Sequence, residues 1–135
     1  MFKRGFAIFI LAATLITGCS PGEKPDDKNI IEKIAGDIEQ GVLRSDLTKI
    51  DAHFSFQAKQ HGYEANRFLM ACSYGDSMSP EFSSMNVEIM GDSARISFIL
   101  MPTGMQYSDS LPRSVVRLIK TDRWEIASFD LVRNR

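Results

Sequence analysis

Near residue 82 the apolar side chains stop recurring at the spacing of a helical turn and begin to recur at every second residue. A chain that changes period once has few architectures open to it. Upstream, Ile30, Ile31, Ile34 and Ile38 share one face of a helix. Asn29 suits its N-cap, Glu32 stands three residues on as in a capping box, and Gly41 suits its end. A second helix is predicted from Ser45 or Asp46 to about Phe54, with Leu47, Ile50 and Phe54 on one side. A third is predicted over about 63–73, with Phe68, Leu69 and Cys72 as its buried stripe and Gly75 at its end. The stretch 56–62 shows no clear period.

Downstream, Met85, Val87 and Ile89 alternate with polar residues, and Gly91-Asp92 marks a tight hairpin turn. Ala94, Ile96, Phe98 and Leu100 continue the alternation, a loop bounded by Pro102 and Pro112 follows, and Val116 and Leu118 resume it. Thr121-Asp122-Arg123 makes the next turn, and Trp124 opens a last strand running to about Leu131. The expected class is α+β: N-terminal helices packed on a curved antiparallel sheet of about four strands.

The first 20 residues carry a different message. Lys3 and Arg4 precede an apolar run, Phe6 to Ile16, too short to span a bilayer as a stable helix. Ile16-Thr17-Gly18-Cys19 then resembles the lipobox of bacterial lipoproteins, an apolar residue and two small ones before a Cys. The resemblance implies cleavage after Gly18 and a diacylglyceryl, acylated N-terminus at Cys19, so that 1–18 is a signal peptide. More than one acyl chain would anchor the protein durably. Ser20 stands where Asp would favour the inner membrane, which points to the periplasmic face of the outer membrane in a Gram-negative host. Residues 19–28, the lipidated Cys and a polar stretch with two prolines and a glycine, read as a tether. The domain proper is then 29–135.

Removing 18 residues from 135 leaves 117, enough for one packed core. All 17 acidic residues and all but two of the 16 basic ones lie beyond the cut, for a formal charge of −3. That balance gives no reason to expect nucleic acid as a partner. Cys72 would be the one thiol left, in an apolar segment, and reads as a buried small hydrophobe. His53 and His61 are the only histidines, too few for a metal site, and no metal or cofactor is expected.

The order of elements also resembles the NTF2-like (cystatin-like cone) superfamily, with its SnoaL and ketosteroid isomerase relatives. Asn86-Val87-Glu88-Ile89-Met90-Gly91-Asp92-Ser93-Ala94-Arg95-Ile96 is similar to its strand–GD-x-A–strand hairpin. Val115 through Ile126, with Trp124-Glu125-Ile126 opening the last strand, is similar to its final hairpin. The resemblance implies a cone whose enzymes hold an acid or base and hydrogen-bond donors inside. Here the first helix turns only Ile toward the core, and no Asp-His pair stands at the matching positions. A non-enzymatic binding or assembly module is therefore expected, with an envelope protein as partner and a homodimer through the sheet using Ile99, Met101, Phe129 and Leu131.

The alternative is a carrier or sensor of a small apolar ligand, with Phe54, Phe68, Phe98 and Val116 lining the cone pocket. A SnoaL-like enzyme is the remaining reading, for which Asp51, Asp76 and Asp130 are the carboxylates to inspect. Tyr74, Asp76 and Glu81 would rim a pocket mouth, while Met105, Tyr107 and Asp109 sit on a loop suited to protein contacts. Arg95, Arg113, Arg117, Lys120 and Arg123, with Arg133 and Arg135, would meet an acidic partner or anionic headgroups if they share a face.

Overall fold

The computed structural model describes residues 25–75 and 78–135. The signal sequence, Gly18 and Cys19, and Asp76 lie outside them. Helix α1 runs Pro25–Leu43, so it begins four residues before Asn29 and includes Pro25–Lys28, read above as tether. Proline is well placed at a first helical position, and Asp26 and Asp27 in the first turn meet the positive end of the helix dipole.

The helix also passes through Gly41, the expected stop. A Cβ there would lie 2.4 Å from Ile50 Cγ1, so the missing side chain lets α1 and α2 (Leu47–Asp51) touch. Ser45 takes the terminating role instead, at φ 53. Gly41→Ala is expected to cost about 1–3 kcal/mol by overpacking, outweighing the gain in helix propensity. Urea unfolding of the two proteins measures it.

Asp46 caps α2 by accepting from Lys49 N, and Ile50 is its buried residue, while Leu47 faces solvent. The stretch without a period contains a short helix, α3 (Phe56–Gln60), which Ser55 caps by accepting from Ala58 N. Helix α4 (Ala65–Ala71) buries Phe68, with Cys72 just beyond it.

Four strands follow: β1 (Pro80–Met90), β2 (Ser93–Pro102), β3 (Ser114–Lys120) and β4 (Trp124–Asp130), antiparallel in the order β1-β2-β3-β4. Met90 pairs with Ser93 across the Gly91-Asp92 turn, where Gly91 has φ 64. Val87, Ile96, Val116 and Phe129 are register partners on successive strands and set one face of the sheet against the helices. Irregularities at 83–86 and at 117–118 interrupt the ladders, the first with Ser84 at φ 55. The segment after α2 adds to the β4 edge: Phe54 bridges Ile126, Ile126 N donates to His53 O and Ser55 N to Ile126 O.

At the C-terminus, Asn134 donates from its backbone N and its Nδ2 to Leu100 O, and from Nδ2 to Pro112 O. Among the described residues, the core joins the four helices to the four strands. Ile99 and Met101, on the opposite face of β2, are buried as well, and Phe129 belongs to the core. The residues expected to form an exposed dimer patch are therefore spent within the chain, apart from half-buried Leu131.

Candidate functional site

A cleft of about 300 Å³ opens between the first half of α1, the end of α2 and the β3–β4 turn. Helical spacing puts Ile30 and Ile34 one turn apart on its α1 wall, with Lys33 beside them. Lys33 Nζ donates to Asp37 Oδ2 at 3.0 Å, an i,i+4 pair. His53 enters from the end of α2, its carbonyl held by Ile126 N at 2.7 Å. Its ring Nε2 lies 2.9 Å from Asp37 Oδ2.

Lys120, Asp122, Arg123 and Trp124 come from the hairpin turn. Buried Asp27 fixes this wall, accepting from Trp124 Nε1 at 3.1 Å and Lys120 Nζ at 2.9 Å. Arg123 Nη2 donates to Ala52 O at 3.3 Å and to Glu125 Oε2 at 3.1 Å.

Burial works to raise the Asp37 carboxyl, but hydrogen bonds from His53 and Lys33, with their charges, outweigh it and leave the carboxyl below its ordinary 3.8. A depressed folded-state value adds stability above 3.8 that is lost as pH falls through the lower folded value. Asp37→Asn is expected to cost about 1 kcal/mol above that pH, and the gap to wild type should close below it. Denaturant unfolding at several acidic pH values follows the gap.

Chemically, the arrangement is an imidazole oriented by a carboxylate beside an apolar floor, ringed by cations. Sequence reasoning missed the pair because 16 residues and the α1–α2 turn separate Asp37 from His53. The i,i+4 spacing of Lys33 and Asp37 was visible, but their meeting with His53 depends on how α2 returns against α1.

The four residues expected to line a cone pocket all lie in the buried core. Phe54 meets Phe68 edge to face at 6.4 Å, both meet Phe129, Phe98 packs on Phe82, and Val116 is fully buried. The carboxylates singled out for inspection face outward: Asp51 pairs with Lys59, and Asp130 with Arg117. Asp76 is outside the described residues.

His61 is an exposed C-cap of α3, and among the described residues no three His, Cys, Asp or Glu gather as a metal site. Tyr74 OH donates to Leu100 O, Glu81 is exposed, and Tyr107 hydrogen-bonds Asp109 within its loop. The basic residues do not assemble into one free patch: Arg95 pairs with Glu88, Arg117 with Asp130, Lys120 with Asp27 and Arg123 with Glu125, while Arg113 reaches Ser84 and Ser97.

A second groove, of about 370 Å³, lies between the end of α1, α4 and the start of β1, with Leu43, Met70, Tyr74 and Met78 on its walls. Cys72 touches it, but burial pushes that thiol up to about 12, against the smaller opposing pull of Arg133. It is a protonated, inert thiol at neutral pH.

Helices laid over one face of a four-stranded antiparallel sheet, in this order, form the NTF2-like α+β cone fold. Solved structures share it. A candidate dehydratase of the NTF2-like family from Streptomyces avermitilis superposes with a TM-score of 0.54 at 12% identity, over 78% of this chain and 95% of that one. A candidate ketosteroid isomerase from Shewanella frigidimarina gives 0.51 at 13% identity, over 72% of this chain and 89% of that one. At such identities the likeness is one of fold. No family profile matches the sequence, and no curated protein matches it.

Proposed function

We propose that this chain is an envelope lipoprotein, anchored through lipidated Cys19 at the periplasmic face of the outer membrane, whose NTF2-like domain binds rather than catalyses. The packing of the interior supports this reading. Phe54, Phe68, Phe129 and Tyr63 meet ring edge to ring face across the space between helices and sheet, so the chain's own side chains take up that room. Contact with a partner then falls to the outside of the domain. The partner is a protein of the envelope, and a second copy of the chain is a further candidate for the sheet, which carries the Glu88–Arg95 and Arg117–Asp130 ion pairs with the two arginines as register partners.

The test is crosslinking of the full chain in living cells together with fatty-acid labelling. The expected result is a reproducible adduct with a second protein, and label that disappears in Cys19→Ser. A chain that is repeatedly recovered alone, or label that persists in Cys19→Ser, contradicts the proposal. The cleft beside Trp124 favours a second reading, in which the domain also carries a small ligand on its surface.

A further inference from the structure

We propose that the cleft between α1 and the β3–β4 turn binds a small carboxylate with an apolar body. The inference deepens the reading of the domain as a binding module, and it rests on that reading. Two observations set the ligand chemistry. The apolar lining is made by Ile30, Ile34 and Trp124, of which Ile30 is the exposed one. The rim carries Lys33, Lys120, Arg123 and His53 against a single acidic lining residue, Asp122.

The rim cations are held in place by acidic groups beside them, Asp37 for Lys33, Asp27 for Lys120 and Glu125 for Arg123, and Asp37 also bonds the His53 ring. These pairs do not exhaust the donors. An ammonium offers three N–H groups and a guanidinium five. Among the described residues Lys33 gives one bond, to Asp37, and Arg123 donates from Nη2. Lys33 and Arg123 are also the most exposed of the pairs' cations, at 75% and 64%, so their remaining donors are turned toward water. A carboxylate seated at the rim would accept from them, with its apolar body on Trp124 and the isoleucines. His53, fixed by Asp37 and by its own backbone bond to β4, forms a preset wall of the cleft that needs no reordering on binding. The volume suits a ligand of the size of a single substituted ring.

Trp124 is the only tryptophan in the chain, so its fluorescence reports on this cleft alone. The experiment uses the full chain in phosphatidylcholine vesicles, titrated with phenylacetate and with phenylacetamide, its uncharged counterpart. The expected result is a saturable change with phenylacetate, roughly tenfold weaker with the amide, as the loss of one charge-assisted hydrogen bond implies. Ile30→Glu alters an exposed floor residue and is expected to abolish the saturable response, and Lys33→Ala to weaken it several-fold. A response that does not saturate, that is equal for acid and amide, or that survives Ile30→Glu overturns the proposal. The crosslinking above reads the parent proposal separately: an envelope adduct without phenylacetate binding removes the cleft and leaves the module.

Discussion

Phe68→Ala is expected to destabilise the domain by about 3–5 kcal/mol, the range for removing a fully buried aromatic side chain. Phe68 has no exposed surface and lies where α4 meets the rest of the core. Its ring touches Phe54 from the end of α2 at 6.4 Å and Phe129 from β4 at 5.1 Å. Alanine removes the ring, two edge-to-face contacts and the apolar area together, and the elements around it come from distant parts of the chain. The corresponding fall in Tm is more than roughly 10 °C for a domain of this size. Met70→Ala, two residues along the same helix but exposed, should stay within about 0.5 kcal/mol of wild type. Thermal unfolding by circular dichroism compares the three. Near-equal melting temperatures for Phe68→Ala and wild type would mean that the interior is not packed as described.

The second large effect is at Asp27. Its carboxylate is buried and accepts from Lys120 and Trp124, 93 and 97 residues away in sequence. Asp27→Ala leaves the Trp124 N–H without this acceptor and takes the counter-charge from Lys120. The expected cost is about 2–4 kcal/mol, below the full penalty for a buried pair because Lys120 is part exposed and can turn to water. Asp27→Asn keeps an acceptor for the indole and should recover part of the loss. Asp26→Ala, on the exposed side of the same turn, should cost little. Denaturant midpoints rank the three, and Trp124 fluorescence shows whether the cleft wall has moved.

The fold was legible because two periods are written into the chain. The Ile30, Ile31, Ile34 and Ile38 stripe needs a helix, and alternation from Met85 to Leu100 around Gly91-Asp92 needs a hairpin. Both are present, and the order of elements followed. The boundaries of α1 were misplaced at each end for physical reasons. Asn29 and Gly41 are good terminators in isolation, but Asp27 is held by the sheet, and Gly41 is required where α2 crosses.

The pocket was not legible because a list of aromatic residues does not say whether their rings surround a space or fill it. In the structure Phe54 packs on Phe68 and Phe98 on Phe82, all within or against the core. The Asp37–His53 pair and the cleft beside Trp124 were invisible for a related reason. Each joins residues from elements whose relative placement is decided by packing and carries no local signature.

The most direct measurement for the central claim, an interior filled by its own aromatic side chains, is a crystal structure under xenon pressure. Xenon enters dry apolar cavities and has no place in a close-packed core. The account predicts no xenon among Phe54, Phe68, Phe98 and Val116. A xenon atom bound between those side chains would reveal a cavity inside the cone and contradict it.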